Sequence, residues 1–168
     1  MNEVIYLVGQ ISPKFVQSYQ WRENVEKELE DRHDIEIINP CANPFNEKVL
    51  KENRYAVTKE KRSFGIDVLP AKDYTYCKRS TMTIVNMNQY DPDKPLLGSF
   101  FELAWYFTMP EKTVIAFADD QTDYLCQHPF VQQAVTTWVD DEYQACYIVN
   151  KYFQGGSYKR WRIPKVVA

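Results

Sequence analysis

Three short, almost unbroken apolar runs set the strongest limit on what this chain can fold into: VIYLVG at residues 4–9, MTIVNM at 82–87 and TVIAFA at 113–118. A strand with one wet face alternates apolar and polar residues, whereas a continuous run needs cover on both faces. A parallel sheet layered between helices supplies that cover. The segments between the runs fit the layers. YQWRENVEKEL at 19–29 places Trp21, Val25 and Leu29 four apart among charges, the stripe of a helix lying on a sheet. DIEIINP gives a short strand at 35–39 closed by Pro40, GSFFELAWYF gives a helix, 129–139 reads as another helix, and ACYIVN at 145–150 reads as a last strand. Strand and helix alternating in this way predict an α/β fold, an open parallel sheet of about five strands with helices on both faces and right-handed connections.

Between Cys41 and Ser80 lie about forty mostly polar residues, too many for a plain connection. A broken helix over 46–61, an exposed loop through Pro70 and a short helix over 73–79 are expected there. The loop QYDPDKPLL carries turn chemistry at Asp91-Pro92 and Lys94-Pro95. The tail, 151–168, receives no assignment. With no internal repeat or low-complexity segment, residues 1–168 read as a single domain, and 168 residues suffice for a core without covalent staples. In open sheets of this class ligands bind beyond the carboxyl ends of the strands. The loops after Leu7, Met87 and Ala118 are therefore where chemistry is expected.

Composition narrows the partner. A net charge of -3 leaves no electrostatic footprint for a nucleic acid polymer or an anionic membrane. The four cysteines, Cys41, Cys77, Cys126 and Cys146, are far apart, and only His33 and His128 could join them, so neither zinc nor a disulfide framework is expected. No apolar run approaches the roughly 20 residues that span a bilayer. These features predict a cytoplasmic protein with a small-molecule partner and no metal or organic cofactor. Aromatic residues make up 15% of the chain, and most are expected to be packing.

The residue that asks for a function is Glu102, a lone carboxylate among Phe100, Phe101, Leu103, Ala104 and Trp105. Two accounts fit. Ser99 and Glu102 have the spacing of a capping box. Alternatively Glu102 is a working carboxylate, kept ionised in the first helical turn by free N–H groups and the helix dipole. A helix apolar nearly all round gives a mere cap no reason for such surroundings, which favours function.

The same residues resemble a known family, the nucleoside 2-deoxyribosyltransferases. VIYLVGQIS is similar to that family's YLAGP signature and STMTIVNMN to its ADVVIANLD strand. GSFFELAWYFTMPEKTVIAFADD resembles GTAFEIGYAYALGKPVIALTDD, with one extra residue near Pro110. The matches occur in order over residues 3–120. The resemblance implies a flavodoxin-like fold and an enzyme acting on the N-glycosidic bond of a 2'-deoxynucleoside. Glu102 matches the nucleophile that attacks C1' and holds the sugar as an ester while the base leaves. Tyr6 matches the tyrosine that orients it, with plain strand packing as the other account. Asp73, eight residues before Thr81, takes the base-protonating position, with a helix cap as the alternative. The chemistry is coherent, because loss of a base builds positive charge on the sugar and negative charge on the base, as in retaining glycosidases.

The chain also departs from the family. Leu96 stands where an aspartate grips the sugar hydroxyls, six residues before the nucleophile, and Asp91 and Asp93 lie nearby as substitutes. Thr81 replaces the aspartate opening the third strand. Gln10 replaces a proline and is a candidate to read a polar edge of the base. The substrate-contacting set is thus Gly9, Gln10 and Ser12 after the first strand, Asn86, Asp91 and Asp93 after the third, and Gly98 and Ser99 at the helix start. Relatives of the same fold hydrolyse deoxynucleoside 5'-monophosphates, and Ser12, or Ser99 with the Gly98 amide, offers an anion site, although both serines also suit ordinary caps. The basic run at 59–62 fits a solvated helix face unless a phosphate must be held. Transfer of deoxyribose from a nucleoside to a free nucleobase is the first expectation, 5'-monophosphate hydrolysis the alternative. A nucleotide-binding module without turnover and an interaction domain using Trp21, Trp138 and Trp161 are the rivals. The resemblance further implies a homo-oligomer.

Overall fold

Five short strands lie side by side in the computed structural model, which describes residues 3–42 and 69–153. They are β1 (Glu3–Gly9), β2 (Ile35–Ile38), β3 (Met82–Asn86), β4 (Thr113–Phe117) and β5 (Thr137–Val139). All neighbours pair in parallel, in the order β2-β1-β3-β4-β5. This is the flavodoxin-like α/β arrangement, in which strand order reverses between β1 and β3. The described helices are α1 (Gln17–Glu28), α2 (Leu69–Arg79), α3 (Leu97–Phe107), α4 (Tyr124–Gln127), α5 (Pro129–Ala134) and α6 (Glu142–Tyr152).

The apolar runs do what their continuity demands. Ile5 and Leu7 of β1 pack with Trp21 and Val25 of α1 and with Ala145, Cys146 and Val149 of α6. Tyr6 and Val8, pointing the other way, pack with Cys77 of α2, Leu103 and Tyr106 of α3 and Val131 of α5. Two apolar layers therefore sandwich one sheet, and helices cover both faces.

Two elements differ from the sequence expectation. Residues 145–150 are helical, not a strand: Asp141 caps α6 by accepting from the Gln144 amide at 2.8 Å, and Ala145, Cys146 and Val149 form a helical stripe against the sheet. The fifth strand is instead Thr137–Val139, within the segment expected to be helix. There α5 starts on Pro129 and stops at Ala134, where the β-branched Val135, Thr136 and Thr137 favour extended backbone. Pro70 lies inside α2 rather than in a loop, and that helix starts four residues before Asp73. The helix expected over 46–61, the basic run at 59–62 and the tail beyond 153 fall outside the described residues.

One tie spans two helices of the same face. Lys112, in the turn between α3 and β4, donates from Nζ to the carbonyls of Cys77 and Lys78 at 2.6 Å each and of Ser80 at 2.5 Å. A cation at the C-terminal end of α2 satisfies carbonyls that the helix leaves open and complements its dipole.

Gly9, at the end of β1, leaves little space for even a methyl group. A Cβ there would sit 3.1 Å from the Asn86 carbonyl oxygen and 3.2 Å from both Asn86 Cβ and Trp21. Gly9→Ala is expected to destabilise the protein by about 1–3 kcal/mol, as overpacking does, read as a lowered urea midpoint with unchanged slope.

Candidate active site

The reversal of strand order leaves a crevice at the carboxyl ends of β1 and β3. A cavity of about 360 Å³ opens there. Three elements bring ionisable or hydroxyl-bearing groups to its wall: β1 contributes Tyr6, α2 contributes Asp73, and α3 contributes Ser99 and Glu102. These elements come from three separate parts of the chain, and only the fold unites them.

Glu102 and Tyr6 are in direct contact. The Tyr6 hydroxyl donates to Glu102 Oε1 at 2.5 Å, a short charge-assisted geometry. Tyr6 is 1% exposed and Glu102 8% exposed. The helix carrying Glu102 begins at Leu97 with Leu96 as its N-cap residue and no side-chain cap. Glu102 therefore sits in the second turn and does not close a capping box with Ser99. The expectation of a carboxylate held ionised by a helix start is corrected accordingly. Burial raises the Glu102 pKa from the ordinary 4.5 to about 8; the Tyr6 hydrogen bond and the charges of Arg22 and Lys72 oppose the rise, and Asp73 adds to it. Burial and the neighbouring Glu102 charge likewise push the Tyr6 phenol far above its usual range, so it stays a donor.

Asp73 lies within α2 and is no helix cap. Its Oδ1 is shielded from solvent and, among the described residues, makes no well-formed hydrogen bond, with Lys72 Nζ 3.5 Å away. Burial raises its pKa, and Lys72 and Tyr6 hold the rise back. Two carboxyl groups in one cavity repel when both are ionised, so they favour sharing a proton.

The remaining sequence candidates divide into two groups. Gly9, Gln10, Gly98 and Ser99 line the cavity with the trio. Among the described residues the Ser99 hydroxyl makes no hydrogen bond, and the first-turn amides of the uncapped α3 open beside it. Ser12, Asn86, Asp91 and Asp93 are not among the residues lining this cavity. Ser12 Oγ donates to Asp91 Oδ2 at 2.6 Å. Asn86 donates to the Tyr90 hydroxyl at 3.2 Å and accepts from the Asn88 amide at 2.9 Å. The Asp93 amide closes a turn onto Asp91 Oδ1 at 3.2 Å, and its carboxylate lies 3.7 Å from Lys14 Nζ. The carboxylate of Asp91 is thus engaged by its own loop and by the β1–α1 loop, and its pKa is lowered, first by the Ser12 hydrogen bond.

Three cations escaped the sequence reading. Arg22, fully buried on α1, donates to the carbonyls of Ser18 and Gly9 at 2.8 Å each, of Leu7 at 3.3 Å and of Gln10 at 3.4 Å. Its signal was available: Ser18, Arg22, Val25 and Leu29 share a helical face with spacings of four, three and four. Lys94 reaches the cavity wall and lies 3.6 Å from Asp91 Oδ2. Lys72 gave no pattern at all. Of the tryptophans considered for an interaction role, Trp21 is buried in the core, and Trp161 falls outside the described residues.

No family model matches the chain, and no curated protein matches it. Among solved structures, the chain is similar to the Clostridium botulinum CMP N-glycosidase BcmB, with a TM-score of 0.50 at 14% identity, covering 88% of this chain and 99% of that one. That likeness shows the fold. Among the described residues no helix is long and apolar enough to cross a membrane, and no group of three or more His, Cys, Asp or Glu is placed to hold a metal ion.

The raised pKa of Glu102 makes the stability of the fold depend on pH. A carboxyl whose pKa is higher folded than unfolded favours the fold while protonated, and that contribution is lost as pH rises through about 8. Urea unfolding at about pH 6 and about pH 9 is expected to show a loss of stability at the higher pH. Glu102→Gln should flatten that loss.

Proposed function

We propose that this chain cleaves the N-glycosidic bond of a nucleoside or its 5'-monophosphate in the β1–β3 crevice. The observation that carries the proposal is the hydrogen bond from Tyr6 to Glu102 inside a cavity that also holds Asp73. In this reading Glu102 attacks C1', forming a C–O bond as the C1'–N bond breaks with its electron pair going to the base. Asp73 gives its proton to the departing base nitrogen. Tyr6 orients the carboxylate and holds one oxygen, leaving the other to react. Water, or a second base, then attacks C1' and gives its proton to Asp73, while the C1'–O bond to Glu102 breaks and its electron pair returns to the carboxylate. The shared proton is the working state: Glu102 must be ionised while Asp73 is protonated, and positive charge growing on the sugar draws the proton from the first to the second.

Two observations favour a 5'-monophosphate and hydrolysis over the transfer expected first. The Ser99 hydroxyl and the uncapped start of α3 present donors to the cavity, with Lys94 on the same wall, a setting suited to an anion. The similar BcmB structure is named a CMP N-glycosidase. Transfer of deoxyribose between nucleobases remains the second reading, resting on the resemblance carried by Tyr6, Glu102 and their flanking residues. Association with further copies of the chain belongs to the same proposal. Leu97 and Phe101, 61% and 63% exposed on α3, form with Tyr74 and Trp105 an apolar face beside the cavity.

Incubation with nucleosides and their 5'-monophosphates, with and without a second free base, followed by chromatography, tests the proposal. Free base and sugar phosphate are expected, and a new nucleoside would select transfer instead. Glu102→Ala should lower base release by about a thousandfold or more, in the range seen when a nucleophile is removed, with the fold kept. Release of no base from any substrate, with equal binding by wild type and Glu102→Ala, would identify a binding module. Because one shared proton is required, kcat/KM should follow a bell-shaped pH profile. It falls at low pH as both carboxyls become protonated and at high pH as both lose their protons, with the upper limb near the Glu102 value of about 8.

A further inference from the structure

The Gln10 side chain occupies an unusual place. It reaches the cavity wall and is 8% exposed, yet its hydrogen-bonding groups turn towards the loop between β3 and α3. Nε2 donates to the carbonyls of Asp91 at 3.2 Å and Lys94 at 2.6 Å, and Oε1 accepts from the Asp91 amide at 2.7 Å. A primary amide has two donors and two acceptor sites. Both donors and one acceptor are engaged by the backbone of that loop, so no donor is left for a base edge.

The loop it grips is itself a formed turn. Asp91 precedes Pro92, the Lys94 amide donates to the Asp91 carbonyl at 3.1 Å, and the Asp93 amide bonds the Asp91 carboxylate. Ser12, two residues beyond Gln10, adds its hydroxyl bond to Asp91 Oδ2. Just past the turn, Leu96 is 2% exposed, its carbonyl accepts from the Phe100 amide at 3.0 Å, and α3 begins at Leu97. β1 and the residue that follows it thus hold the β3–α3 loop and α3 at two levels, through Gln10 at the loop and through Tyr6 at Glu102.

We infer that Gln10 is a positioning residue, a clamp that fixes the start of α3 against the end of β1 and so sets where Glu102 meets the substrate. This rests on the reading of Glu102 as the nucleophile. A helix turns as a rigid body, so releasing its leading loop displaces a carboxylate in its second turn, and displacements of about 1 Å at a reacting group cost up to about a hundredfold in rate. The base-reading role expected for Gln10 from its sequence position gives way to this one.

Gln10→Met keeps the length and removes all three hydrogen bonds. Its kcat is expected to fall about ten- to a hundredfold, equally for purine and pyrimidine substrates, with KM within about twofold. In parallel, the Glu102 carboxyl is followed by ¹³C NMR in glutamate-labelled protein, assigned with Glu102→Gln. The groups facing that carboxyl are Tyr6 from β1, Asp73, Lys72 and Cys77 from α2, Arg22 from α1 and Tyr106 from α3, and all are retained. A released α3 admits water, so the midpoint should move down from about 8 towards the usual glutamate range.

Stability loss alone leaves the midpoint in place, so an unchanged midpoint overturns the clamp. A KM that rises unequally between the two base classes overturns it too, since Gln10 would then be reading the base. Gln10→Asn, with the amide one methylene short, is expected to shift both readouts in the same direction by a smaller step and decides the matter if Gln10→Met does not fold. If wild type releases no base from any substrate, the functional reading fails while the NMR comparison still decides the clamp.

Discussion

A buried carboxylate in contact with a buried phenol is the constraint around which this architecture is arranged. Glu102 places a carboxyl group in surroundings that disfavour its charge, and among the described residues the Tyr6 hydroxyl is the group that bonds to it directly. An isolated buried charge is costly, so the contact has to be made and kept. Keeping it requires β1, which bears Tyr6, to stay in register with β3, whose outgoing loop leads to α3. The pairing of Tyr6 with Thr83 and of Val8 with Val85 provides that register, and the Thr83 hydroxyl adds a bond of 2.7 Å to the Tyr6 carbonyl. Sheet and site are therefore one mechanical unit at the β1–β3 junction.

The same junction explains how an apolar wall and a polar cavity coexist. Tyr6 belongs to the core layer that contains Val8, Val85 and Leu103, and its ring packs 5.5 Å from that of Tyr76. Tyr6 also lines the cavity, where its hydroxyl meets Glu102. Arg22 acts in the same way from the other face of the sheet, lying 4.6 Å over the Trp21 ring while its nitrogens collect the carbonyls at the end of β1. Amphipathic side chains with long apolar bodies let a few polar atoms converge without opening the core.

Much of this could be read from the residues in order. The three continuous apolar runs announce a covered parallel sheet, and Glu102 stands out because its neighbours on both sides are apolar. What the sequence conceals is of two kinds. At the C-terminal end, ACYIV is rich in strand-favouring residues, but the Asp141 cap and the burial of Ala145, Cys146 and Val149 on one stripe make it a helix: tertiary packing overrides local preference. At the site, the partners of Gln10 and Ser12 lie about eighty residues away in the β3–α3 loop. Nothing local tells a glutamine facing a ligand from one holding a loop. Likewise Asp91 lies near enough in sequence to stand in for the sugar-binding carboxylate that Leu96 replaces, and only the fold shows that a serine hydroxyl, a backbone amide and a lysine surround it.

The lysine between α3 and β4 bears on the chemistry from a distance. With its ammonium seated among the last carbonyls of α2 and its own backbone following the end of α3, Lys112 fastens together the ends of the two helices that carry Asp73 and Glu102. Parting the two helices at that end would break all three of these bonds at once, so a single side chain ties the scaffold of one carboxyl group to that of the other.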